Sequence, residues 1–85
     1  MTEILAVFRS RSQAVDCNSR LRRGGIPSNL INTPKEANIG CGLSVRVPQS
    51  MEMRARGLIL SGKYSAFFGF MIMNTGYGRT SFKWY

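Results

Sequence analysis

No histidine occurs among the 85 residues, and there are only two cysteines and four carboxylate side chains. Without histidine, Ser-His and Cys-His nucleophile pairs are excluded, as are His-ligated metals. Two cysteines, Cys17 and Cys41, cannot define a disulfide framework and match no zinc pattern. The carboxylates Glu3, Asp16, Glu36 and Glu52 are scattered, so they build no acid–base pair and no metal site. Long hydrophobic runs are missing too. The longest uncharged stretch, 64–78, is too short for a membrane span and is broken by glycines. Met1-Thr2-Glu3-Ile4 has neither the basic start nor the apolar run of a signal peptide. These absences predict a cytoplasmic protein with reduced thiols, no membrane partner and no cofactor.

What is abundant is positive charge. Twelve Lys and Arg against four acids give a net charge of +8, so anionic partners are favoured by steering. Apolar residues make up 44% of the chain and charged ones 19%, the balance of a folded domain and not of a disordered tail. The length allows one domain with a thin stability margin. We expect a domain over residues 1–75, with 76–85 as a C-terminal tail or extra strand.

Along the chain, Ile4-Leu5-Ala6-Val7-Phe8 reads as a central strand. Ser10 with Gln13 three residues later is a capping box that predicts a helix from about Arg11 to Arg23. Ala14, Cys17 or Asn18, and Leu21 form its apolar face, and Gly24-Gly25 stops it. Ser28 to Ile31 reads as a second strand. Thr33-Pro34-Lys35-Glu36 has the form of another capping box with proline at its first position, opening one turn that ends at Gly40. Leu43-Ser44-Val45-Arg46-Val47 alternates, which predicts a strand with Ser44 and Arg46 on its open face. Ser50 is positioned to cap a second helix with Met51, Ala55, Leu58 and Ile59 as its stripe, weakened by Gly57. Ala66 to Met73 is a fourth strand, Asn74 to Gly78 a turn, and Ser81 to Tyr85 a short strand that can pair back. The order β-α-β-β-α-β predicts an α+β fold: a ferredoxin-like single domain with an antiparallel sheet and an aromatic C-terminal tail.

Cys41 is the residue on which chemistry is best placed. Gly40 and Gly42 leave its sulfur unobstructed and let backbone amides turn toward an anion. Lys35 and Arg46 are close enough in sequence to add positive field. The plainer reading is a small buried hydrophobe at a strand start. Cys17, on the helix stripe, reads as a packed cysteine. Arg20, Arg22 and Arg23 serve either as a dock for an acidic partner or as complements to the helix dipole. Ala66-Phe67-Phe68-Gly69-Phe70 is similar to the end of an RNA-recognition RNP1 segment, but its start is absent and its aromatics read as core. The tail aromatics Tyr77, Phe82, Trp84 and Tyr85 suit base stacking or the covering of a sheet edge.

Phe8-Arg9-Ser10, Gly25-Ile26-Pro27, Ile31-Asn32-Thr33-Pro34-Lys35-Glu36 and Gly40-Cys41-Gly42-Leu43-Ser44-Val45-Arg46 together resemble a bacterial family of small selenium/sulfur carrier-like proteins. The resemblance runs from about Ile4 to Val47, and its most specific part is Thr-Pro-basic-Glu followed by Cys-Gly-Leu. It implies that Cys41 holds a persulfide-type adduct, with Thr33, Pro34, Gly40 and Gly42 shaping its loop. It also implies donor and acceptor proteins as partners, and a carrier or binding protein in preference to a stand-alone enzyme. The high charge and the aromatic tail depart from the family pattern. Two other readings remain open on the residues alone. One is a basic module gripping RNA or another polyanion with Cys41 structural. The other is an oligomerisation domain, such as a homodimer, using the last strand.

Overall fold

The apolar run Ile4–Phe8 forms the last five residues of β1 (Thr2–Phe8), and every one of its five side chains is buried. The structure, a computed structural model, describes residues 1–40 and 42–85. After β1 come α1 (Arg11–Arg23), β2 (Asn29–Asn32), β3 (Leu43–Pro48), α2 (Glu52–Ser61), β4 (Phe67–Gly76) and β5 (Arg79–Trp84). Short 3₁₀ turns lie at Lys35–Ala37 and Gln49–Met51. All strand pairs are antiparallel, in the order β2-β3-β1-β4-β5. The expected α+β class with an antiparallel sheet and two helices is observed, with a sheet of five strands.

Side-chain alternation on β1 builds two cores. Ile4, Ala6 and Phe8 pack with Ala14, Cys17 and Leu21 of α1 and with Ala55 and Ile59 of α2. Leu5 and Val7 face the other way and pack with Met71 and Met73 of β4 and with Ala37. Each fully buried Ile, Leu, Val or Phe contributes about 1.5–3 kcal/mol of hydrophobic free energy. Phe8 also meets Tyr64 edge-on at 5.5 Å between ring centroids.

The second core needs a lid, and the segment between β2 and β3 provides it. Ala37 and Ile39 fold down onto the helix-free face, and the Lys35–Ala37 turn reaches β5. This overturns the expectation of an open face on β3: Ser44 is fully buried. It shares a 2.8 Å hydrogen bond with Thr33 Oγ1, which satisfies a buried hydroxyl. Thr33 is thereby drawn away from the capping role read from its sequence, and the turn that follows has no side-chain cap. The turn also ends earlier than Gly40, at Asn38 in the left-handed region (φ 56°).

Smaller differences have similar causes. Ser10 does cap α1, accepting from Gln13 N at 3.2 Å. The Gln13 side chain leaves the box to bond Ser65 Oγ and Ala66 N, tying α1 to the entry of β4. Ser50 does not cap α2, because the Gln49–Met51 turn winds straight into that helix. The last hairpin turns at Tyr77-Gly78 (φ 51° and 72°), so β4 runs on to Gly76.

Two glycines give opposite expectations. A Cβ on Gly42 would sit 2.7 Å from the Phe8 carbonyl oxygen and 3.1 Å from Thr33 Oγ1, so Gly42→Ala should cost about 1–3 kcal/mol. A Cβ on Gly57, inside α2, meets nothing within 4 Å, so Gly57→Ala should stabilise by about 0.5–1 kcal/mol. Urea unfolding of the two variants checks both signs.

Candidate functional site

Where β1 ends, the chain turns at Arg9 and enters α1 through Ser10. Arg9 N is fixed by a 2.9 Å bond to Ala66 O, and Ser10 caps the helix. Arg9 and Arg11 are thus held on either side of a helix N-terminus. Opposite them β2 ends at Asn32, and Thr33 N bonds Gly42 O at 3.3 Å, closing the neck of the loop between β2 and β3. Gly40 takes a left-handed conformation (φ 77°) that a side chain would strain. Arg9, Arg11, Asn32, Thr33, Gly40 and Gly42 together line a cleft of about 490 Å³.

The lining among the described residues is cationic, with two guanidiniums and no carboxylate. The helix dipole adds to it, because its positive end lies at Arg11. Arg11 in a helix first turn with no acidic residue is locally unfavourable. Such a conflict between a local rule and the sequence is typical of functional sites. Arg9 and Arg11 were missed as lining residues by sequence reasoning, although basic residues at a helix start are a legible signal.

Cys41, on which the sequence reading centred, lies outside the described residues. Its neighbours Gly40 and Gly42 and the expected loop residue Thr33 line the cleft. Pro34 is extended (φ −65°, ψ 148°) and leads the chain onto the second core. Lys35 is exposed on the 3₁₀ turn and is not among the lining residues. Arg46 sits on the same sheet face as Ser44, about 13 Å along β3 from Gly42, and pairs with Glu3 at 3.6 Å.

Arg20, Arg22 and Arg23 stand at the far end of α1, about 14–18 Å from its start. Arg20 donates to Leu58 O and to Ser61 Oγ (3.1 Å), joining the two helices. Arg22 donates to Ser28 O (2.6 Å) and Arg23 to Ser19 Oγ (3.4 Å).

The chain matches the family described as "Putative Se/S carrier protein-like" over residues 3–66. It belongs to this family. No curated protein and no solved structure matches the chain. The matched residues hold β1 to α2 and the whole cleft lining; β4 and β5 lie beyond them. No helix among the described residues is long and apolar enough to cross a membrane.

Cys17 is chemically quiet by contrast. It is buried in the helix-side core, and burial pushes its thiol up to about 12, against a smaller lowering by Arg20. A thiol that keeps its proton is a poor nucleophile. The folded state binds that proton more tightly than the unfolded state, whose thiol ionises near 9. The resulting stability is complete below pH about 9 and is lost as pH rises toward about 12. Urea midpoints across that range should fall more steeply for the parent than for Cys17→Ala, which has no thiol to ionise. Parallel curves would mean that Cys17 is not held in this state.

Proposed function

We propose that the protein is a sulfur or selenium carrier whose cargo is bound to Cys41. The observation that supports this most is the cationic cleft lined by both glycines that flank Cys41 in the sequence, in a chain of the carrier-like family. We also take the first four strands and two helices, ordered β2-β3-β1-β4, as a ferredoxin-like arrangement to which β5 is appended.

In the sulfur form, the Cys41 thiolate attacks the terminal sulfur of a donor persulfide. The donor S–S bond breaks, a new S–S bond forms on Cys41, and the donor leaves as a thiolate. An acceptor nucleophile then takes the terminal sulfur and returns Cys41 as a thiolate. No outside oxidant or reductant enters, and no histidine base is needed because the donor supplies sulfur already activated. Arg9, Arg11 and the α1 N-terminus favour the anionic forms of thiol and persulfide. The donor and acceptor are proteins in this reading, and its setting is the cytoplasm, where thiols stay reduced.

Folded protein is treated with inorganic polysulfide, and its peptides are weighed by mass spectrometry. Sulfur should add to the Cys41 peptide and not to the Cys17 peptide, and Cys41→Ser should take up none. Alkylation of Cys41 at neutral pH should slow roughly several-fold in Arg9→Gln/Arg11→Gln. A Cys41 that reacts no faster than Cys17, or a double variant that reacts like the parent, would make the cysteine structural.

A further inference from the structure

Two aromatic rings stand in the open at the same end of the sheet as the cationic cleft. Phe68, near the start of β4, is 46% exposed, and Trp84, at the end of β5, is 41% exposed. Their ring centroids are 5.6 Å apart with planes at 40°, so they form one tilted surface. Arg9 joins this surface to the cleft. It lines the cleft, and its guanidinium carbon lies 5.6 Å from the Phe68 centroid.

The rings are held in place from beneath. Gly69 adopts φ 153° beside the register shift between β1 and β4, and a Cβ there would come within 3.3 Å of the Trp84 ring. The glycine therefore makes the seat on which the indole rests. Trp84 pairs with Met71, and the next residue is tied by a 2.9 Å bond from Tyr85 N to Phe70 O. Arg56 lies over the rings of Phe70 (4.3 Å) and Tyr85 (4.6 Å) and bonds Glu52 at 2.9 Å, which anchors Tyr85 next to Trp84. An aromatic surface fixed this way yet left wet is suited to a planar ligand.

Flat rings beside fixed cations are the two elements of single-strand recognition, since every base has a face to stack and every linkage a negative charge. Arg9 supplies a cation over the Phe68 ring and Arg11 a second one in the adjoining cleft, and exposed Lys35 stands on the turn that touches β5, with Glu36 next to it. The net charge of +8 gives the same preference over the whole surface. We propose that this end of the sheet binds single-stranded nucleic acid, with a base stacked on Trp84 and Phe68 and its phosphates against Arg9 and Arg11. A duplex is disfavoured, because its base faces are already stacked. The proposal uses none of the chemistry of Cys41; it shares Arg9 and Arg11 with the carrier reading, and Phe68 and Trp84 belong to it alone. Phe68 and Trp84 both lie beyond the residues matched to the family.

Trp84 is the sole tryptophan, so its fluorescence reports on the platform alone. The full chain is titrated with short oligoriboadenylate, with oligodeoxyadenylate, with the duplex of the latter, and with heparin as a polyanion without bases. Both single strands should quench Trp84, and a preference between them tells RNA from DNA. In anisotropy measurements on a labelled single strand, Trp84→Leu and Phe68→Ala should each weaken binding about five- to a hundredfold. Arg9→Gln should weaken it and lower the slope of log affinity against log salt by about 0.7. No binding overturns the proposal. So does binding in which the duplex or heparin competes equally while Trp84 stays unquenched, which would reduce the surface to a general attraction for anions.

Discussion

The structure depends on burying β1 from two sides at once. Ile4, Ala6 and Phe8 are covered by the two helices, and Leu5 and Val7 must be covered by something else. A domain of 85 residues has no second helical layer to supply. The loop between β2 and β3 takes that role through Ala37 and Ile39, with Phe82 of β5 beside them. The loop that carries Cys41 in its sequence is therefore also a structural cover. Its shape is set by hydrophobic packing at one end and by the Thr33–Gly42 neck at the other.

That double role explains how a small protein builds a site. Loops are usually mobile because few apolar contacts hold them. Here Ala37 fastens the loop to the sheet, while the Thr33–Ser44 bond fixes its base in a buried setting. The cleft forms between this fixed base and the start of α1, whose own position is set by Ser10 and by the bonds of Gln13 to Ser65 and Ala66. Arg9 and Arg11 line that cleft from the two sides of the Ser10 cap. The electrostatics also divide the arginines by role. Arg20 and Arg22 are spent on backbone carbonyls at the far end of α1 and hold helices and loops together. Arg9 and Arg11 stand at the positive end of the helix dipole, a conflict that a bound anion would relieve.

Cys17 shows how far environment decides the chemistry of a thiol. It has the surroundings of a core residue, and burial holds its proton on far above the usual thiol range. The loop beside the cleft offers cations and backbone freedom. In a chain without histidine, cations and a helix N-terminus are among the means by which a thiol is made more nucleophilic.

Apolar spacing, the Ser10 cap and the Gly24-Gly25 stop by themselves determined the α+β class, the span of α1 and its buried stripe Ala14, Cys17 and Leu21, because those features rest on residues within or next to one element. Residue type, not periodicity, set apart the loop of Pro34, Gly40 and Gly42, because proline fixes the local backbone and glycine frees it. Only the tertiary structure decided that Ser44 is buried, that Thr33 bonds it instead of capping a turn, and that Arg9 and Arg11 meet the loop. The tertiary structure also decided that Arg46 pairs with Glu3 across the sheet. Each of these depends on a contact between elements distant in the chain, and the physical reason is the same throughout. The helix-free face of the sheet had to be covered, and alternation within a strand does not say which segment will cover it.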